Sequence, residues 1–211
     1  MDLFDIRKDY RQGHLSLEDL NHSPLYHIEA WLKEAQEAEC LEYNSVVLST
    51  ASLTGAPSSR VVLLKRIDSE GLYIFTNYNS RKGQQLEVNN QAALLFFWPE
   101  LERQINIEGR VEKCTEALSD DYFNQRPLSS RVSAAASAQS QPVESREAML
   151  EKWQKAQARA EKHGIARPIY WGGYLIRPSR VEFWQGGAHR FHDRILFTLE
   201  NDQWTKTRLM P

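Results

Sequence analysis

Arg103-Gln104-Ile105-Asn106-Ile107-Glu108-Gly109-Arg110-Val111-Glu112-Lys113 is the stretch whose reading decides the fold. Ile105, Ile107 and Val111 point one way while Gln104, Asn106, Glu108 and Arg110 point the other. A period of two with one apolar side belongs to a half-buried strand, here spanning Arg103–Thr115. Upstream, Ser45–Ser52, Ser58–Ile67, Leu72–Thr76 and Ala92–Phe97 are rich in β-branched and aromatic residues. Turn formers such as Thr54-Gly55-Ala56-Pro57 and Asp68-Ser69-Glu70-Gly71 separate them. Downstream, Gly173–Arg177, Arg180–Trp184, Arg194–Leu199 and Trp204–Leu209 read as strands, the last two forming a hairpin across Glu200-Asn201-Asp202. Eight or nine short strands without alternating long helices predict a mainly-β chain closed into an antiparallel barrel.

Several helices interrupt the strands. Ser23 suits an N-cap and Pro24 the first helical position, where no amide donor is needed. Leu25, Ile28, Trp31, Leu32 and Ala35 then share one face. Ser80–Asn90, Ser119–Gln125 and Val143–His163, ended by Gly164, are further helical stretches. Residues 127–142 are Ser/Ala/Gln-rich and read as a long connection, of the kind that is usually functional or mobile. Residues 1–22 are polar and read as an arm or lid, leaving residues 23–211 as a single domain.

The chain has 211 residues, and 26 Lys and Arg against 28 Asp and Glu leave a formal charge of −2. Eight Phe, eight Tyr and six Trp exclude intrinsic disorder. The near-neutral balance argues against nucleic acid or an acidic membrane as partner. Cys40 and Cys114 are too few for a disulfide framework and read as two unlinked thiols in a reducing compartment, although one bridge is open. Met1–Lys8 has no apolar signal core, and the longest apolar run, Ala92–Trp98, is far short of a membrane span. A soluble, cytoplasmic protein is expected.

There is no Gly-x-Gly-x-x-Gly, Walker loop, His-Glu-x-x-His or Gly-x-Ser-x-Gly. His189 and His192 stand three apart, on opposite faces if the segment is a strand, so no metal site is expected. Four cationic groupings remain. Arg60 and Lys65 bracket Val61-Val62-Leu63-Leu64, which reads either as a buried strand with snorkelling ends or as a strand edge facing an anion. Ser80-Arg81-Lys82 opens a helix, where free amides and the dipole favour a phosphate, though a solvated basic turn is as common. Tyr122 and Arg126 lie four apart on one helical face, with Ser130 following, a set suited to a phosphate dianion or to a simple surface stack. Phe183–Arg194 packs Trp184, Gly186-Gly187, two His and two Arg into twelve residues. As a strand it would place Arg190, His192 and Arg194 in one cationic row, which needs an anion or an electron-rich ring to be stable.

Together with Arg7-Lys8-Asp9-Tyr10, Phe75-Thr76-Asn77, Leu101-Glu102-Arg103-Gln104, Gln139-Ser140, Trp171-Gly172-Gly173 and the terminal Arg208-Leu209-Met210-Pro211, these stretches resemble the pyridoxamine 5′-phosphate oxidase family over almost the whole chain. The resemblance implies an FMN-binding split β-barrel working as a homodimer, with flavin at the subunit interface. It implies that Arg60, Arg81 and Lys82 neutralise the FMN phosphate, aided by Gln139 and Ser140. Val61, Val62, Leu63 and Leu64, with Phe75, Thr76, Gln104, Trp184 and Arg194, would line the flavin.

Lys65, touching both ligands, would join Tyr122, Arg126 and Ser130 on the substrate phosphate. Arg190 and His192 would position the pyridine ring as the catalytic pair, Phe191 would touch substrate, and Arg7, Lys8, Asp9 and Tyr10 would close as a lid. The implied reaction oxidises pyridoxine or pyridoxamine 5′-phosphate to pyridoxal 5′-phosphate with O2, giving H2O2. Residues 131–138 depart from the Gly-Ala-Trp segment of many relatives, making Ser133 and Ala135 atypical. A flavin reductase of the same fold and a non-catalytic FMN or pyridoxal phosphate carrier are the rival readings. A reductase has no need of a second phosphate pocket, while ligand binding with no peroxide formed under air would favour the carrier.

Overall fold

The computed structural model describes residues 1–4, 9–10 and 13–211. Helix α1 (Pro24–Glu37) begins as its sequence dictates: Ser23 Oγ accepts from the Tyr26 amide and Pro24 sits in the first turn. Its buried face carries Ile28, Trp31, Leu32 and Ala35. There follow β1 (Ser45–Ala51), β2 (Pro57–Leu63), β3 (Arg66–Asp68), β4 (Gly71–Asn77), α2 (Arg81–Val88), β5 (Gln91–Trp98) and β6 (Arg103–Lys113). Three helices, α3 (Glu116–Gln125), α4 (Leu128–Ala136) and α5 (Arg146–His163), precede the closing strands β7 (Trp171–Gln185), β8 (Asp193–Glu200) and β9 (Gln203–Leu209).

All strands pair antiparallel in the order β2-β1-β5-β6-β7-β4-β3, with β8 on β7 and β9 on β8. The hydrogen-bonded path ends at β2 and β3, so the barrel is split, not closed as strand count alone predicts. The split arises on β7. Its first half, through Ile176, pairs with β4, and its second half, from Arg180, pairs with β8, while β6 runs beside both. The expected strands Gly173–Arg177 and Arg180–Trp184 are therefore one strand with a bulge. Glu108 faces Arg180 and Gly109 faces Pro178, so Ser179 has no partner in the register. Pro178 cannot donate to the ladder, which is why the bulge falls there. A Cβ on Gly109 would stand 2.2 Å from the Arg177 carbonyl oxygen.

The alternation in β6 holds: Ile105, Ile107 and Val111 are buried, while Glu108 and Arg110 are exposed. They join Val46, Leu48, Leu94, Phe96, Ile176, Val181 and Phe183 in one core, capped by Trp31 of α1 with its ring 5.1 Å from Phe183. Each such side chain contributes about 1.5–3 kcal/mol by leaving water.

Three expectations differ from the structure. Ser58–Ile67 is two strands, because Leu64 turns into the core and its amide bonds the Asn44 carbonyl while the Lys65 amide bonds that of Tyr73. Residues 127–142 contain helix α4, although only Val132 of it is buried. Within the arm, Leu15 and Leu20 belong to the core. Cys40 and Cys114 are free thiols. Among the described residues, no helix is long and apolar enough to cross a membrane.

Candidate active site

A cleft of about 610 Å³ opens between β2, the end of β4, the start of α2, α3 and the 139–140 turn. Arg60, Lys65, Arg81, Lys82 and Arg126 line it, and among the described residues no lining residue is Asp or Glu. Five cations without a carboxylate make the cleft suited to an anion, since like charges gathered in one cavity repel until a ligand neutralises them.

The first half is built on the α2 N-terminus. Ser80 caps the helix, its Oγ accepting from the Gly83 amide at 3.4 Å. Gly83 is required because a Cβ would stand 1.9 Å from the Tyr78 carbonyl oxygen. Lys82, only 7% exposed, folds inward and offers Nζ to Thr76 Oγ1 at 3.2 Å, Ser80 Oγ at 3.3 Å and Gln139 Oε1 at 3.5 Å. All three partners are neutral. Burial, then the nearby Arg60, pulls the Lys82 pKa below the usual lysine value. Arg60 is clamped by the Leu48 carbonyl at 3.0 Å, Thr50 Oγ1 at 2.7 Å and Ser58 Oγ at 2.6 Å. Its pKa is lowered by burial and by Arg81. The Arg81 amide donates to Ser140 Oγ at 3.2 Å, and Ser140 holds a left-handed backbone, φ 71°.

The second half is aromatic. Phe75 stacks on Tyr122 at 3.9 Å, and Trp171 lies nearly parallel to both rings at 6.0 and 6.2 Å. The Arg126 guanidinium carbon is 4.6 Å from the Trp171 ring centroid, and its buried Nη1 has no hydrogen-bond partner. An orphaned guanidinium nitrogen in a carboxylate-free cleft is a place for a ligand oxygen. Burial lowers the Arg126 pKa and raises that of Tyr122. Arg167 fixes Trp171 by donating Nη1 to its carbonyl at 2.6 Å while pairing with Asp120 at 2.7 Å and with Glu116, both on α3.

Of the sequence-derived candidates, Arg60, Val61, Val62, Leu63, Lys65, Phe75, Thr76, Arg81, Lys82, Tyr122, Arg126, Gln139 and Ser140 meet in this cleft. Leu64 turns into the core, and Ser130 lies on α4, outside the lining. Gln104, Trp184, Arg190, Phe191, His192 and Arg194 gather elsewhere, around the far end of β7. Trp171 and Trp184 are thirteen residues apart on that strand, up to roughly 40 Å at the rise of an extended chain.

At that far end the expected cationic row does not form. Ala188–Arg190 is a 3-10 turn with His189 and Arg190 at positive φ, so side chains do not alternate as on a strand. Arg194 is paired bidentately with Glu182 at 2.7 and 3.0 Å and donates to the Met210 carbonyl at 3.0 Å. Arg190 and Phe191 are exposed. His192 packs on Trp184 at 4.7 Å, and its Nδ1 accepts from the Gly187 amide at 3.2 Å, which assigns the proton of the neutral ring to Nε2. Tyr10 meets the edges of Trp184 and His192 at 5.5 and 5.6 Å. Asp9 is exposed. Arg7 and Lys8 lie outside the described residues.

Trp171, Ser58 and Ser59 line the cleft without having been singled out as site residues. For Trp171 a signal existed in the two glycines after it. A Cβ on Gly172 would stand 2.2 Å from Tyr78 Oη and 2.9 Å from Ser119 Oγ, so the pair marks where α3 packs flat on the strand.

Two family models match the chain. One is described as pyridoxamine 5′-phosphate oxidase and covers residues 32–159; the other, described as the pyridoxine 5′-phosphate oxidase C-terminal dimerisation region, covers residues 171–211. A pyridoxine/pyridoxamine 5′-phosphate oxidase of Herminiimonas arsenicoxydans is 49% identical over 214 residues, covering 100% of both chains. The protein of the same name from Cyanothece sp. is 45% identical over 207 residues, 98% of this chain and 97% of that one. The crystal structure of PhzG from Burkholderia lata 383, in complex with tetrahydrophenazine-1-carboxylic acid, superposes with a TM-score of 0.88 at 30% identity, covering 94% of this chain and 98% of that one. An FMN-binding protein of Nostoc punctiforme shares the fold at 13% identity, with a TM-score of 0.73 over 90% of this chain and 100% of its own.

Proposed function

The chain belongs to the pyridoxamine 5′-phosphate oxidase family, and from that premise we propose that it oxidises pyridoxine or pyridoxamine 5′-phosphate to pyridoxal 5′-phosphate, using FMN and O2. One observation carries the reading: a single cleft, with no Asp or Glu among its described lining residues, presents two separate cationic groups, one at the start of α2 and one on α3. Two phosphorylated aromatic molecules laid face to face would satisfy both.

The residues present fit FMN. Lys82 Nζ, buried among neutral oxygens, together with Arg60 and Arg81, supplies the charge for a phosphate dianion. Gln139 and Ser140 close the far side. When bound, FMN supplies the two-electron chemistry, accepting a hydride equivalent from substrate C4′ and passing the electrons to O2 to give H2O2. Everything else falls to the protein. Val61, Val62 and Leu63, with Phe75 and Thr76, form the wall along which a flat ring system lies. Lys65, Tyr122 and Arg126 hold the substrate phosphate, with Arg126 Nη1 as the open donor, and Ser130 stands next along the chain. Binding energy from that remote phosphate is what holds the reacting carbon in register.

The protein is a homodimer, its residues 171–211 matching a dimerisation region. The far-end cluster therefore serves the cleft of the other copy. Gln104, Trp184 and Arg194 of the partner subunit complete the flavin wall, and Arg190, Phe191 and His192 of the partner subunit stand over the substrate ring. Arg190 contributes positive charge against that ring. His192 carries its proton on Nε2, as a donor to the substrate. Arg194, neutralised by Glu182, contributes direction without net charge. Asp9 and Tyr10 act in the lid. Residues 23–211 act as one domain, and two free thiols suit a reducing, cytoplasmic setting.

The test is direct. Purified protein loaded with FMN is mixed aerobically with pyridoxine 5′-phosphate, and both aldehyde and peroxide are measured. Appearance of the two in equal amounts is expected. FMN binding without turnover on either the alcohol or the amine would defeat the reading and favour a carrier; flavin reduction by NADH in their place would favour a reductase.

A further inference from the structure

Away from the cleft, three side chains of β8 and β9 tie down the stretch that precedes α1. Asp193, the first residue of β8, accepts the Leu15 amide on Oδ2 at 3.0 Å, and His14 Nδ1 lies 2.7 Å from the same oxygen. Arg208 bonds Asp193 Oδ1 through Nη1 and donates Nη2 to the Leu15 carbonyl at 2.8 Å. Lys206 donates to the carbonyls of Leu17 and Leu20 at 2.6 and 2.8 Å. Leu15 and Leu20 are 5% and 2% exposed. The segment is thus a strap fastened by side chains instead of a strand ladder, and Asp193 takes both the backbone and the cation at its N-terminal end.

Tyr10 is five residues before Leu15, and its ring lies on Trp184 and His192. A Cβ on Gly186 would come within 2.8 Å of the Tyr10 side chain, so the turn is shaped around that ring. Five residues of chain reach at most about 17 Å, so pinning Leu15 confines Tyr10 to the neighbourhood of this face. With Leu15 released, the next fixed points are the Leu17 and Leu20 carbonyls that Lys206 still holds, seven and ten residues from Tyr10. Local concentration falls with tether length to about the −3/2 power, which predicts roughly a two- to threefold loss of Tyr10 at its place.

We propose that Asp193 is a positioning residue for the oxidase reaction: with Arg208 it staples Leu15 to the β8–β9 hairpin and so sets Tyr10 over the Trp184–His192 face. This inference rests on the reading that this face covers the substrate. It makes the N-terminal arm and the C-terminal hairpin one closing unit, with the staple adjacent in sequence to His192.

The test uses the FMN-loaded dimer and compares Asp193→Ala, Arg208→Met, Tyr10→Ala and the double variant Asp193→Ala/Tyr10→Ala. The staple variants should raise KM for pyridoxine 5′-phosphate about two- to threefold with kcat and FMN content held. The double variant should lose no more than Tyr10→Ala alone. Thermolysin, which cuts before leucine, should newly cleave at Leu15 or Leu17 in the staple variants, and this readout needs no turnover. If wild-type protein oxidises neither substrate, the functional reading fails while the protease pattern still reports the staple. Losses in Asp193→Ala and Tyr10→Ala that multiply in the double variant would overturn the proposal. So would a protected strap, or a released strap with KM unchanged. Arg208→Met decides the matter if Asp193→Ala does not fold.

Discussion

The Arg126 guanidinium lies 4.6 Å from the Trp171 ring centroid, with Nη1 buried and without a partner. A flat cation held by its face against an indole keeps its edge free for a phosphate. Trp171 thereby does for Arg126 what a carboxylate would do elsewhere, without cancelling its charge.

Removing that support should weaken substrate binding. Trp171→Leu forfeits a cation–π contact worth about 0.5–2 kcal/mol, or roughly 2- to 30-fold in KM for pyridoxine 5′-phosphate. Steady-state kinetics with flavin content measured in parallel checks this, and Trp171→Phe should recover part of the loss. A KM that does not move would remove Trp171 from the substrate half.

Arg126→Ala should cost more. A charge-assisted hydrogen bond contributes about 1.5–3 kcal/mol, so KM should rise by roughly 10- to 150-fold, with FMN affinity little changed. Arg126→Lys should rescue poorly, because an ammonium offers neither the fork nor the face. Equal effects on FMN and on substrate would show that the cleft is not divided as described.

Lys82 gives a pH dependence with a definite sign. Its folded pKa lies below the ordinary 10.5, chiefly through burial. Between the folded and unfolded values the unfolded chain binds more protons, so this group makes the FMN-free protein more stable as pH rises through that window. The penalty is full below the folded pKa. Urea midpoints of FMN-free wild type and Lys82→Met, compared from pH 7 to 10.5, should converge towards the alkaline end. A constant difference would mean that Lys82 pays no burial cost. FMN binding, which needs the charged form, should weaken over the same window.

Gly83→Ala should separate fold from site. The new Cβ would sit 1.9 Å from a backbone oxygen at Tyr78, which cannot swing aside as a side chain can. Overpacking of this kind costs about 1–3 kcal/mol and should shift the first turn of α2, where Ser80 and Lys82 sit. A lower melting temperature with loss of bound FMN is expected. Retention of full FMN affinity would show that the phosphate group does not depend on the α2 terminus.

Much of the architecture was legible locally. Period-two alternation in Gln104–Val111, the Ser23-Pro24 opening of α1 and the Ser80 cap of α2 depend on neighbours within a few residues, and each appears where the sequence places it. Helix α4 was not legible in this way. Leu128–Ala136 has no apolar period because it buries only Val132, so the high helix propensity of its alanines was the sole signal. The break at Leu64 was equally silent, since it falls inside the aliphatic run Val61–Leu64, where no turn former marks it.

Residue chemistry marked nearly all of the cleft, because cations beside an aliphatic strand and at a helix start are placed to meet an anion, although each alone also fits a solvated surface. What the chain alone did not reveal is that these cations belong to one cavity while Trp184, His192 and Arg194 belong to another surface. That division is made by β7, whose single uninterrupted run pairs with β4 at one end and β8 at the other. Strand pairing is a contact between residues as much as a hundred positions apart, and nothing in a local period encodes which partner wins. The elements were therefore set by short-range chemistry, and the split and the two separate clusters were set by long-range hydrogen bonding across β7.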